Sequence, residues 1–338
     1  MLDLGLSSEQ EQLGDAFRSL FEREADPETV RASEPLGYLP ALWARACQLG
    51  ALDMAIPEDA GGSGASLLDA VVVAEAAGAA VAPIPLVETV VAGRLLASLG
   101  TAAASARLAD LVAGRSLVTL AVRPLAPDGM ARWVPAGAIA DTVLALDGDR
   151  VVAGGGAPPH EPVANLGAVP VADRSLAGAE VVAEGAHAVS AYGRARSEWR
   201  VLTAALLCGA GRRALELGIG YTIERKQFDV PIASFQAVAH RLADLQTAVD
   251  GAQLLTWKAA WAADEDPLQR SALASMAFTF AARAAEEAAT ESLHFHGGYG
   301  YMMEYDVQLY FRRIKAWALV HGDRQHELLH LADALWGT

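Results

Sequence analysis

The chain has 338 residues, a net charge of −15 at neutral pH, 53% hydrophobic residues and a mean hydropathy of +0.23. That length and apolar content predict a large core in two or three domains and exclude a disordered chain. The acidic balance excludes a binder of the phosphate backbone, and apolar runs fall short of the roughly 18 residues a membrane span needs. The amino end lacks a basic region ahead of an apolar one, so the expected location is cytoplasmic. Cys47 and Cys208 lie in apolar surroundings and predict two buried thiols of a reducing compartment, with no disulfide framework and no metal site.

Residues 1–115 read as an N-terminal helical domain. Ser7 caps a helix with an acidic first turn and apolar positions at Leu13, Phe17, Leu20 and Phe21. Pro40 to Leu49 is a second amphipathic piece stopped by Gly50, and Ile56 to Gly64, rich in Gly and with Pro57, is a structured loop. Ser66 then opens an Ala- and Val-rich helix running towards Gly78. Residues 116–188 change to short β-branched runs, predicting a small β domain. Val118–Val122 starts it, Asp147-Gly148-Asp149-Arg150 joins a hairpin, and Val169-Pro170-Val171 and Val181-Val182 are further short strands. Residues 189–338 predict long helices over 197–225, 236–263 and 268–293, and two more after the glycine-rich break at 297–300. The expected fold class is therefore mainly α with a small β insert, ending in an antiparallel four-helix bundle.

Two stretches carry chemistry. In the first, Glu224 to Ile232 followed by Phe235-Gln236, Arg225 stands at a helix end beside Phe228 and Gln236. A guanidinium, a ring and an amide suit a pyrophosphate and an adjoining heterocycle, although an ordinary helix hairpin with a solvated charge pair reads the same way. In the second, His294-Phe295-His296-Gly297-Gly298-Tyr299-Gly300-Tyr301, the glycines end a helix and let a ligand approach bare backbone. It is no phosphate loop, because the lysine and Ser/Thr are missing. His294 and His296 straddle the helix end, where they cap it or meet phosphate. His326 and His330 share a helix face at i, i+4, but a third metal ligand is not apparent and a solvated face is expected. Gly209 and Gly211 inside a helix predict close packing. Arg212-Arg213 predicts a solvated pair, and Arg312-Arg313 with Lys315 is the other basic cluster.

Together, Arg225-x-x-Phe228-x-x-Pro231-Ile232-x-x-Phe235-Gln236, the Gly297-Gly298-x-Gly300-Tyr301-x-x-Glu304-Tyr305 stretch and the later basic pair resemble the acyl-CoA dehydrogenase family. The loop Pro57-Glu58-x-x-Gly61-Gly62-x-Gly64 with Asp69, Glu75 and Gly78, and the order helical, small β, helical, agree with it. The resemblance implies an FAD-dependent enzyme that desaturates the α,β bond of an acyl-CoA thioester, passing electrons to an electron-transfer acceptor. A carboxylate base would take the α-proton and flavin the β-hydride. It further implies that Arg225, Phe228, Gln236, His294, Gly297 and Gly298 contact the FAD of a neighbouring subunit, with Asp323 and Gln325 near the adenine end. Arg312-Arg313 matches a family position near the subunit interface.

Three departures from the family pattern are equally informative. His321 stands where the family's usual Glu base is expected, and Trp199 stands at the alternative Glu position. After Val118–Val122 the sequence reads Arg123-Pro124-Leu125-Ala126-Pro127-Asp128-Gly129, where the family's flavin-packing Thr-Glu-x-x-x-Gly-Ser-Asp is expected. What is kept would serve a partner's cofactor and what is lost would serve the chain's own. The leading expectation is thus the reduced subunit of an α2β2 heterotetramer, paired with a complete dehydrogenase subunit and acting on a possibly sterol-like acyl-CoA. The alternatives are a self-sufficient, homo-oligomeric flavoenzyme using His321 or another base, and a non-catalytic acyl-CoA-binding scaffold. Neither nucleic acid nor membrane is an expected partner.

Overall fold

A computed structural model describes residues 5–337. The first helix, α1 (Ser8–Glu24), starts at a capping box in which Ser7 accepts from the Gln10 amide while the Gln10 side chain returns to the Ser7 N–H. Its Phe17 and Phe21, one turn apart, are buried with ring centroids 5.9 Å apart. Then come α2 (Pro27–Ala32), α3 (Pro40–Gln48), the turn-rich loop over 51–64, α4 (Leu67–Ala79), α5 (Leu86–Leu99) and α6 (Ala102–Val112). Ser66 and Asp69 form a second capping box at the start of α4. Consecutive buried residues, Val71, Val72, Val73 and Ala74, mark α4 as a central helix covered on several sides.

The middle of the chain forms β1 (Val118–Leu120), β2 (Met130–Val134), β3 (Thr142–Asp147), β4 (Arg150–Gly154), β5 (Ala172–Ser175) and β6 (Glu180–Glu184). One sheet has the order β1-β3-β4-β6, with β1 parallel to β3 and the other pairs antiparallel; β2 and β5 form a separate antiparallel pair. Asp147 pairs with Arg150 across the predicted hairpin, whose turn uses Gly148 at φ +63°. Alternation along β3 splits the core: Val143 and Ala145 pack with Val134, Val152 and Leu176 between the sheets, whereas Leu144 joins the main helical core. The run Val169-Pro170-Val171 is not a strand, contrary to expectation. Pro170 has no N–H for a ladder, and Asn165 pins this segment as a loop by bonding Val163 O, Val169 O and the Val169 amide. The strand begins one residue later.

The carboxyl-terminal half comprises α7 (Ala186–Glu224), the two-residue strands β7 (Lys226–Gln227) and β8 (Val230–Pro231), α8 (Gln236–Glu265), α9 (Arg270–His296), α10 (Val307–Leu319) and α11 (Arg324–Trp336). Cross-contacts fix the directions. Cys208 meets Thr256 and Arg212 meets Asp250, so α7 and α8 are antiparallel. Trp199 packs on Phe278 and Tyr221 on His296, so α7 and α9 are parallel. The ion pair Lys315–Glu286 and the His296–Tyr305 contact set α10 antiparallel to α9.

Helix α7 crosses α4 at very short range. A Cβ placed on Gly209 would lie 2.0 Å from the Glu75 carbonyl oxygen, so the packing role expected of this glycine is what the fold requires. Gly209→Ala is expected to destabilise the chain by about 1–3 kcal/mol, because backbone rather than a flexible side chain must give way. Urea denaturation would measure this, and an unchanged midpoint would contradict it. Two other expectations need correction. Cys208 is buried but Cys47 only half-buried, and burial pushes the Cys47 thiol up to about 12. Arg212 is not solvated: it donates to Asp250 and Gln253, while the exposed Arg213 pairs with Glu216. Among the described residues, no helix is long and apolar enough to cross a membrane and no cluster of metal-ligating side chains occurs.

Candidate functional site

At the far end of the bundle, α7 stops at Arg225, whose amide bonds Tyr221 O and whose carbonyl accepts from Ile232. Between β7 and β8 the chain reverses through Phe228 and Asp229, at φ +53° and +63°. That turn throws the Phe228 ring into solvent, 88% exposed, with only Phe235 edge-on to it at 6.3 Å. Gln236 begins α8 and is exposed. The carboxyl end of α9 arrives at the same corner, because Tyr221 stacks on His296 at 4.1 Å. His296 is buried and its Nδ1 bonds Ser292 O, so it anchors the helix end, whereas His294 is exposed. Gly297, at φ +60°, and Gly298 have open space where a Cβ would stand. Thus Arg225, Phe228, Gln236, His294, Gly297 and Gly298 converge on one surface. The side chains of Arg225 and Gln236 bond nothing among the described residues, leaving a guanidinium, an amide and an imidazole to receive an anionic, partly aromatic ligand.

The remaining residues lie elsewhere. Asp323 caps α11 by accepting from the His326 amide at 2.8 Å, and Gln325 is exposed in its first turn. Both sit near Trp199, since His321 stacks on that indole at 5.7 Å. Along α7, Trp199 and Arg225 are about 39 Å apart. One chain therefore brings six predicted residues to one end and two to another.

His321 is the centre of a buried charge cluster. Its Nε2 is 3.0 Å from an Arg196 nitrogen and 3.1 Å from an Arg200 nitrogen, so it must accept from both. That fixes the ring proton on Nδ1, which lies 2.6 Å from Glu327 Oε1. Arg200 grips Glu327 with two bonds, at 2.9 and 3.1 Å, with both side chains 2% exposed. Burial lowers the His321 pKa to about 4, and the charges of Arg200 and Arg196 push the same way against the Glu327 bond. Burial would raise the Glu327 carboxyl, but hydrogen bonds from His321 and Arg200 and the Arg200 charge hold it well below the usual range. Trp199 is buried and its Nε1 has no partner. A neutral imidazole whose lone pair faces two guanidinium groups is closed to a substrate proton.

The sequence pattern pointed to His321 and Trp199 but not to Arg196, Arg200 or Glu327. The available signal was Arg196 and Arg200 at i, i+4 on the face carrying Trp199. Arg123, after β1, spans to the end of α10, donating to Val320 O at 2.8 Å and Leu319 O at 3.1 Å. It ties the sheet to the segment that carries His321. His326 is exposed and His330 half-buried, in keeping with the expected absence of a metal pair. The basic pair before them divides: Arg312 is bonded to Glu34, while Arg313 is buried within the chain, unlike the interface position the resemblance implied. A half-open cleft of about 890 Å³ between α5, α6 and α7 contains none of the predicted residues; Arg94 lines it, held by Glu198 and Asp264.

Family models agree with this layout. The model described as acyl-CoA dehydrogenase, N-terminal domain, matches residues 7–115, and that described as acyl-CoA dehydrogenase, C-terminal domain, matches 194–336. The chain is 34% identical to acyl-CoA dehydrogenase IpdE2 of Mycolicibacterium smegmatis, over 96% of this chain and 98% of that one. Identity to IpdE2 of Mycobacterium tuberculosis is 31%, over 97% and 98%. Among solved structures, the ChsE4-ChsE5 complex from Mycobacterium tuberculosis superposes with a TM-score of 0.89 at 27% identity, covering 100% of both chains. A variant of the Tcur3481-Tcur3483 steroid ACAD gives 0.87 at 26%, covering 98% of each.

Proposed function

Since the chain belongs to the acyl-CoA dehydrogenase family, FAD-dependent oxidoreductases acting on a CH–CH bond, we propose that it is the subunit of a heteromeric member that completes a partner's FAD site without supplying the base. The observation that carries this reading is the locked His321. Removing an α-proton requires a basic lone pair open to substrate, and here that lone pair accepts from Arg196 and Arg200. Trp199, at the other position, has a donor and no acceptor. The exposed corner fits the opposite task. Arg225 would neutralise phosphate charge, Phe228 would flank a ring, and Gln236 and His294 would bond polar edges, while Gly297 and Gly298 leave their backbone approachable. Asp323 and Gln325, at the start of α11, would meet the adenine end of the cofactor.

Bound FAD supplies the hydride acceptor for α,β-desaturation of an acyl-CoA thioester. Because the two groups of residues are about 39 Å apart, a site using both draws on more than one protomer. The two-component names of the ChsE4-ChsE5 and Tcur3481-Tcur3483 proteins, the latter a steroid ACAD, support a heteromer with a sterol-like acyl-CoA substrate. Oxidation of bound flavin by an electron-transfer acceptor completes the cycle.

Flavin content tests this. Expressed alone, the chain is expected to be colourless; co-expressed with a complete dehydrogenase subunit, it should copurify as a yellow complex holding less FAD than total chains. A yellow, active chain on its own would assign the self-sufficient enzyme. A chain colourless with every partner would assign the scaffold.

A further inference from the structure

Outside these sites, one arginine is buried with most of its bonding capacity unused. Arg313, in α10, is 2% exposed. Its Nη1 donates to Ala168 O at 3.0 Å, but Nε and Nη2 have no partner. The neighbouring carboxylate of Glu34 is committed to Arg312, at 2.9 and 3.2 Å. Burial lowers the Arg313 pKa to about 10, which leaves the guanidinium charged at neutral pH. A buried cation with idle donors is among the costlier features a core can hold.

The unused pair is not an arbitrary one. Nε and Nη2 form the side-on edge of the guanidinium, the fork that matches the two oxygens of a carboxylate. The anchored Nη1 sets the plane of that fork. Its anchor depends on Gly37, at φ +67°, where a Cβ would lie 1.9 Å from the Ala168 oxygen. Ala168 and Ala136 nearby adopt φ of +47° and +53°, a backbone strain that needs a compensating role. Arg313 lines a cavity offering about 40 Å³ to the centres of water-sized molecules. Its other walls are apolar or backbone, including Pro135, Val169, Leu206 and Trp317, except for the side chain of Glu88.

We propose that this cavity is a carboxylate-binding site, in which the Nε–H and Nη2–H of Arg313 clamp the two oxygens of a small organic acid or of a ligand's carboxylate terminus, with Glu88 as the opposing polar group. Phosphate is too large for the space, and its further oxygens would face apolar walls. The site is separate from the FAD-facing corner, so the inference stands without the function proposed above.

The test uses the full-length chain and ¹³C-labelled acetate observed by NMR line broadening. Saturable broadening is expected, competed by propionate and not by phosphate. Glutaryl-CoA and butyryl-CoA then separate the two sources, since only the first carries a terminal carboxylate. Competition by glutaryl-CoA alone identifies a ligand terminus, and competition by neither identifies a free acid. Arg313→Met removes the charge while keeping bulk and apolar fit, so it should fold with an equal or higher melting temperature. It should also weaken acetate binding about 10- to 100-fold, as expected when charge-assisted bonds are lost. Glu88→Gln should retain binding within about tenfold, since it keeps a hydrogen-bonding group opposite the clamp. No saturable broadening in the unaltered chain, or binding unchanged by Arg313→Met, would overturn the proposal in favour of a water-filled cavity.

Discussion

Lowering the pH from 6.5 to 4 is expected to remove roughly 3 kcal/mol of folding stability through His321 alone. In the unfolded chain this imidazole takes up a proton near its ordinary value of 6.5, whereas in the fold burial and two guanidinium groups delay uptake to about 4. Between those values the unfolded state binds the extra proton, so stability is full above 6.5 and declines as the pH falls. The depressed Glu327 carboxyl acts in the same direction at still lower pH, as its pairing with Arg200 is titrated away. His321→Gln isolates the imidazole, since an amide can accept from Arg196 and Arg200 and donate to Glu327 without titrating. Urea denaturation at several pH values should show a shallower pH slope for this variant. Equal slopes for the two proteins would remove His321 from the account. In the assembled complex the same variant should keep its turnover, because a base is not lost; complete loss of turnover would make His321 the base.

Arg225→Ala is expected to weaken FAD retention by the assembled complex about 10- to 100-fold, the loss of one charge-assisted hydrogen bond of about 1.5–3 kcal/mol. Folding should be almost untouched, because the side chain is exposed and bonds nothing within the described chain. Flavin released on dilution or dialysis, followed by fluorescence, reads this out. Unchanged FAD content and activity would remove Arg225 from the cofactor site. A matching loss of melting temperature would instead mark a structural role for the α7–α8 corner.

Local chemistry made much of this fold legible. The boxes at Ser7 and Ser66 each declare a helix start through a hydroxyl and a polar residue three positions later, and Asp147 to Arg150 declares a turn. Arg225, Phe228 and Gly297 were legible because a helix end, a proline-constrained corner and paired glycines leave marks within a dozen residues. The charge cluster left no such mark. Arg200 and Glu327 are 127 positions apart and meet only because α11 folds back onto α7. Arg313 looked like half of a surface pair, since nothing local tells that Arg312 takes Glu34 and leaves its neighbour inside. Strand β5 was missed by one residue because proline vetoes the apolar run before it.

The long helix α7 has a mechanical consequence. It is a ruler whose two ends, at Trp199 and Arg225, each have a fixed orientation around its axis. Deleting or inserting a single residue between them would swing one end by about 100° and shift it about 1.5 Å. Substitutions on its outward surface leave that phase intact, but a change of length cannot be absorbed by a loop, because none interrupts the helix. The spacing between these residues is therefore under tighter constraint than the identity of most side chains along it.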